Sequence, residues 1–144
     1  VLDNFAPPAV IVVQTAFEPD RTTRVESVTL DSNGLSISVS SQRWDARVGF
    51  EQTYGFRVLD ELDLTEFWSR CTLEDGWLFE VTSGGWKELE LTRPYFYSGR
   101  QDWVREYLVV GLNECVSVLT KEVPSVLATA PSNPSLQPTA FGGG

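Results

Sequence analysis

The sequence of 144 residues holds no histidine and only two cysteines, so any chemistry must come from carboxylates, hydroxyls, arginines and aromatic rings. That absence removes Ser-His and Cys-His nucleophiles and every imidazole–metal site. Two cysteines cannot build a four-thiolate zinc site. Cys71 has only Arg70 beside it as an activating cation, so both it and Cys115 read as buried free thiols. Acid–base catalysis by two converging carboxylates needs no histidine. Glu51 and Glu114 are the candidates, each in an otherwise apolar or small-residue stretch, with Tyr54 or Tyr107 to assist. A carboxylate facing into a barrel would have a raised pKa. No phosphate-binding glycine loop, nucleophile elbow or Asp-x-Asp-x-Asp-Gly cation loop occurs. Catalysis is therefore the least favoured reading, and no cofactor or metal is expected.

Recognition chemistry is better represented. Between positions 93 and 105 stand Arg93, Arg100 and Arg105 together with Tyr95, Phe96, Tyr97 and Trp103, against the single acid Asp102. Planar guanidinium groups and rigid aromatic rings are what binding hot spots are made of. Pro94 and Gly99 break any long element there, so the segment reads as a loop carried by a sheet. Residues 60–90 hold nine acids against Arg70 and Lys87, most of the net charge of −9. This segment predicts an acidic face for a basic protein partner, or for self-association into a homodimer with the arginine loop. The same charge speaks against nucleic acid and against an anionic membrane surface. The longest apolar run, Ala9 to Val13, is far shorter than the ~20 residues of a membrane span. A cytoplasmic location is the expectation.

The elements that must position these groups are mostly strands. Leu35, Ile37 and Val39 alternate with Ser36, Ser38 and Ser40, and Asn33-Gly34 supplies a type I′ turn. That turn sets Leu30 opposite Ile37 and Val28 opposite Val39. Ala46 to Leu59 reads as one long strand, with Gly49 and Gly55 as bend points around a barrel. Leu64, Phe67, Trp68 and Cys71 follow helical spacing, with Asp63 as the N-cap. A second hairpin is expected from Trp77, Phe79 and Val81 to Leu89 and Leu91 through Ser83-Gly84-Gly85. Glu106 to Thr120 is either a hairpin turning at Gly111 to Glu114 or one bent strand.

The expected fold is mainly β, with α+β as the alternative: an antiparallel curved sheet or partly closed barrel with one short helix. Residues 1–123 form a single β-rich domain, and 124–144, which hold four prolines and no charge, are expected as a disordered tail. Within that tail, Asn133-Pro134-Ser135-Leu136-Gln137-Pro138-Thr139-Ala140-Phe141-Gly142 resembles the C-terminal ends of hypothetical proteins encoded on bacterial integron gene cassettes, where the reading frame runs into the recombination site. The resemblance implies a mobile bacterial gene and transfers no fold, activity or site.

The leading expectation is a non-enzymatic interaction protein that uses the acidic face and the Arg/aromatic loop. The alternative is a barrel that binds a small molecule, its cavity lined by Phe50, Tyr54, Phe56 and Trp77 with Gln52 as polar handle and Glu51 and Glu114 nearby.

Overall fold

The computed structural model describes residues 7–129. Nine strands form two antiparallel sheets: β1 (Ala9–Val12), β2 (Arg24–Asp31), β3 (Gly34–Ser40), β4 (Asp45–Phe50), β5 (Gly55–Asp60), β6 (Leu78–Ser83), β7 (Arg105–Val109), β8 (Glu114–Thr120) and β9 (Ser125–Ala128). One sheet runs β1-β6-β7-β8-β5 and the other β2-β3-β4-β9. The fold is mainly β, as the alternating pattern predicts, with curved sheets and no closed barrel. One short helix, α1 (Trp86–Glu90), accompanies it. Among the described residues no helix is long and apolar enough to cross a membrane.

The four-stranded sheet is buried on one face only. Leu35, Ile37, Val39, Ala46, Val48 and Phe50 turn inward, while the serines of β3 and Arg47 turn out. The inward side chains meet Tyr107, Val109, Val116 and Val118 of the five-stranded sheet. That second sheet is covered on both faces. Its outer Phe79, Val81, Leu108 and Cys115 lie beneath Leu64, Phe67 and Cys71. Leu119, also outward, lies beneath Phe96, Val104 and Trp86. Double coverage explains why β7 and β8 are buried at every position after the first, polar residues included. Cys71 and Cys115 are buried free thiols, as expected, and burial pushes Cys71 up to about 12 and Cys115 up to about 11.

Several local expectations need correction. The first hairpin forms with the expected faces, but its register slips by two residues. Leu30 pairs with Leu35 and Val28 with Ile37. The loop is Ser32-Asn33: the Asp31 carboxylate accepts from the Asn33 amide at 2.8 Å, and only Gly34 takes a positive φ, of 114°. An even slip keeps every side chain on its face, so alternation alone could not detect it. At the strand end Leu30 is exposed rather than core. A β-carbon on Gly34 would drive into the Phe50 carbonyl. Gly34→Ala is expected to lose about 2 kcal/mol in urea unfolding, whereas Ser36→Ala on the open face should change stability little.

The long strand from Ala46 to Leu59 is two strands in different sheets, β4 and β5, joined by a corner at 51–54. Side chains close the corner: Thr53 Oγ1 donates to the Gly55 and Leu119 carbonyls, and Thr120 Oγ1 donates to that of Gln52. The expected second hairpin does not form. β6 pairs with β1 and β7, and Trp86–Glu90 is helical, which leaves Leu89 and Leu91 exposed. Pairing β6 with β7 avoids the like-charge rung of Glu80 against Glu88 and sets Glu80 against Tyr107.

The segment after β5 is a 3-10 helix, Glu61–Phe67, and its N-cap is Asp60, which accepts from the Leu62 amide, not Asp63. Of the two readings of 106–120, the hairpin forms as β7 and β8. The tail boundary also moves: Ser125–Ala128 adds β9 to the edge of β4, because Val126 completes the core beside Val48. The remainder of the expected tail, including the cassette-like decapeptide, lies outside the described residues.

Candidate functional site

The Arg/aromatic segment is carried by the five-stranded sheet, and a buried carboxylate fixes it there. Two outward rungs meet beneath it. One is Val81, Glu106, Leu119 and Gly55, and the next includes Leu108, Ser117 and Arg57. After β6 the chain turns at Gly84, with φ of 74°, and brings the start of α1 onto Glu106. The Glu106 carboxylate is 2% exposed and accepts from the Trp86 and Lys87 amides at 2.9 and 2.8 Å. It thereby supplies the cap that Gly85, lacking a side chain, cannot. Burial pushes Glu106 above the ordinary glutamate range, against the two amides and Arg57, which favour its charged form. Lys87 Nζ donates to the Val104 carbonyl at 2.9 Å, and the Arg57 guanidinium lies 5.2 Å from the Trp86 ring centre. Both ends of the 86–104 segment are therefore tied to the sheet.

Arg93 and Arg100 then hold the loop's shape from within. Arg93 pairs with Glu90 at 3.2 Å and lies 5.6 Å from the Phe96 ring centre. Phe96 is buried against Val104 and Leu119. Arg100 donates to the Pro94 carbonyl at 2.8 Å, whereas Arg105 lies apart from the loop, on the inward side of β7, and donates to the Tyr107 hydroxyl at 3.4 Å. What the loop presents to solvent is aromatic: Tyr95 is 88% exposed, Tyr97 75% and Trp103 55%. Trp103 Nε1 donates to the Tyr54 hydroxyl at 3.1 Å, which adds an exposed fourth ring from the corner before β5. Among the described residues these four are the exposed large aromatic rings.

The other candidate residues are not brought together. Phe50 and Trp77 fill the space between the sheets, packed against Tyr107 and Trp44 at centroid distances of 6.0 and 5.1 Å. Phe56 is half-buried, while Gln52, Tyr54 and Glu51 lie on the surface. These residues line no common cavity, because the sandwich packs the positions that a barrel would leave open. Glu114 is exposed and pairs with Asp60, at the far end of β5 from Glu51, so the two carboxylates do not converge. Glu106 and Arg57 were missed by sequence reasoning. Their one signal is a charge inside a strand that later proves covered on both faces.

A concavity lies elsewhere, as an open groove of about 750 Å³ over the outer face of β2, β3 and β4, lined by Ser27, Thr29, Ser36, Ser38, Arg47 and Glu51 among others. It includes Glu51 but is polar and wide. Among the described residues no three acidic or cysteine side chains gather to hold a metal ion. The acidic stretch 60–90 is partly spent on structure. Asp60 caps the 3-10 helix, Glu74 pairs with Arg21, and Glu88 accepts from the Gly84 amide at 2.7 Å. Compared with protein-family models, with curated proteins and with solved structures, the chain matches none.

Proposed function

We propose that the protein is a non-catalytic binding protein whose contact face is formed by Tyr95, Tyr97 and Trp103 with Tyr54. The observation that carries this reading is the exposure of the three loop rings, from 55% to 88%, on a segment anchored at both ends. Anchoring lowers the ordering cost that a flexible loop would meet on binding. Arg93 and Arg100 position this face and flank it. With a net charge of −9, a partner carrying basic groups would be drawn in fastest. The proposed partner is a protein, or a second copy of this chain. Two buried, unpaired thiols suit a reducing compartment, and the cytoplasm is the proposed location. The cassette-like sequence at 133–142 supports a mobile bacterial gene as the source and has no bearing on the face.

The test is differential capture by the wild type and by Tyr95→Ala/Tyr97→Ala/Trp103→Ala. Each ring at the centre of the contact is expected to be worth about 2 kcal/mol, roughly thirtyfold in affinity. Thermal stability should be nearly unchanged, since these side chains are exposed. A partner bound equally by both proteins would remove the loop from the account.

A further inference from the structure

We propose that Glu106 is a two-position latch: it caps α1, and a second pair of donors, on Arg57 and Ser117, is placed to receive the same carboxylate when α1 lifts. The device belongs to the sheet and does not depend on the aromatic face binding anything.

Among the described residues two buried side-chain atoms have no hydrogen-bond partner, Arg57 Nε and Ser117 Oγ. They fall together. Arg57 and Ser117 stand directly opposite each other on β5 and β8, on the outer face of the five-stranded sheet. Ser117 is 1% exposed, and a buried donor left unpaired is costly. An arginine Nε–H can only donate and a serine hydroxyl can donate, so what the pair lacks is an acceptor. Glu106 is the buried carboxylate on that face. It lies across from Leu119, two residues along β8 from Ser117, and is therefore the diagonal neighbour of Ser117. Diagonal pairs have Cβ atoms about 7 Å apart, a span that a glutamate side chain and one hydrogen bond cover. The charges of Arg57 and Glu106 already act on each other across this gap, while burial holds Arg57 below the usual arginine range.

The exchange conserves hydrogen bonds. In the capping position one carboxylate oxygen accepts from the Trp86 amide and the other from the Lys87 amide. Turned onto the sheet, the same oxygens accept from the Ser117 hydroxyl and Arg57 Nε, and the two freed amides go to water. Little in α1 itself opposes the move, since it has five residues and none is buried. Gly84-Gly85 is the hinge, with Gly84 at a φ of 74° and no side chain on Gly85 to crowd the Glu106 carboxylate. The bond from Lys87 to the Val104 carbonyl and the Trp86 ring over Arg57 hold α1 down. The capped position is therefore the major state and the lifted one the minor. In the lifted state the 86–104 segment keeps its connection to β7 and loses its tie at Trp86, so the latch sets how long the exposed rings are held ready.

The experiment is native-state hydrogen exchange of the full chain, read at the Trp86 and Lys87 amides. Both should exchange faster than core amides of β8, at a rate that low denaturant leaves unchanged, the mark of local opening. Ser117→Ala and Arg57→Lys each remove one receiving donor, the second while keeping the positive charge. Each should slow the two amides at least roughly tenfold, the worth of one hydrogen bond to a charged group. Amides of β3, in the other sheet, should not follow. Trp86 and Lys87 amides that exchange only with global unfolding overturn the proposal. So does a Ser117→Ala variant in which both amides exchange as in the wild type, the result that a water held between Ser117 and Arg57 would give. If Arg57→Lys fails to fold, the wild type and Ser117→Ala decide. Partner capture enters none of these readouts, so failure here and failure of the aromatic face are separable.

Discussion

Trp77→Ala is expected to cost about 4 kcal/mol in denaturant unfolding, a large share of the stability of a domain of this size. Trp77 is 2% exposed and directly precedes β6, beneath the 13–23 connection that runs from one sheet to the other. Its ring packs on Trp44 at 5.1 Å and Phe17 at 6.5 Å, and its Nε1 donates to the Phe17 carbonyl at 3.0 Å. Trp44 Nε1 donates in turn to the Glu18 carbonyl at 2.9 Å, so the two indoles clamp the 13–23 connection from both sides. Truncation leaves a cavity between rigid sheets, with little scope for collapse, and leaves the Phe17 carbonyl only its bond from the Thr15 hydroxyl. Trp44→Ala, at a half-buried position, should cost about half as much. A loss below about 1.5 kcal/mol for Trp77→Ala would show that the connection is held by something other than this cluster.

Glu106→Ala is expected to cost about 3 kcal/mol and to loosen the whole 84–104 segment. The carboxylate accepts two amide hydrogen bonds, each worth about 1.5–3 kcal/mol when one partner is charged, offset in part by relief of burying the charge. Its loss also strips Arg57 of a neighbouring negative charge. Hydrogen exchange at the Trp86 and Lys87 amides should accelerate far more than at core amides of β8. Glu106→Gln keeps the shape but turns a donor towards one amide, so a smaller loss is expected.

The pH dependence of that variant has a definite sign. Burial raises Glu106 above its ordinary value of 4.5, so the folded protein holds this proton more tightly than the unfolded chain. Its contribution is full below about 4.5 and is lost as pH rises through the elevated value. Glu106→Gln lacks this slope, so its deficit against the wild type should shrink between pH 4.5 and neutrality. Asp20 behaves in the opposite sense. The Thr22 hydroxyl and amide, with Arg43, lower it to about 2, and its contribution above the ordinary carboxylate range is lost as pH falls towards that value. A Glu106→Gln deficit that grows with pH would contradict the burial argument.

Alternation in the sequence reports which face a side chain takes and leaves its partner strand open. Ile37, Val39 and Val48 were legible as core because their faces follow from period alone. The two-residue register slip in the first hairpin was not legible, since it changes partners and preserves faces. The same limit explains the second hairpin: Phe79 and Val81 were read as a strand correctly, but their neighbours are β1 and β7 instead of 89–91. The corner at 51–54 escaped because its hydrogen bonds come from threonines distant in sequence, Thr53 and Thr120. The Arg/aromatic segment was visible from residue type, yet the division of labour within it was not. Which rings project and which arginines serve as internal props depends on where Phe96 is buried. Glu106 was invisible for a plainer reason. A lone carboxylate in a strand looks solvated until a second layer is known to cover that face.

The most direct test of the binding face is photo-crosslinking from inside the contact. A benzophenone side chain at position 97, on the exposed loop, is compared with one at position 30, also exposed, on the edge of the other sheet. Both proteins are irradiated in the host cell and their adducts compared by mass spectrometry. The account predicts a discrete adduct from position 97 that position 30 does not give and that Trp103→Ala abolishes. Equal labelling from both positions, or an adduct from position 30 alone, would contradict it.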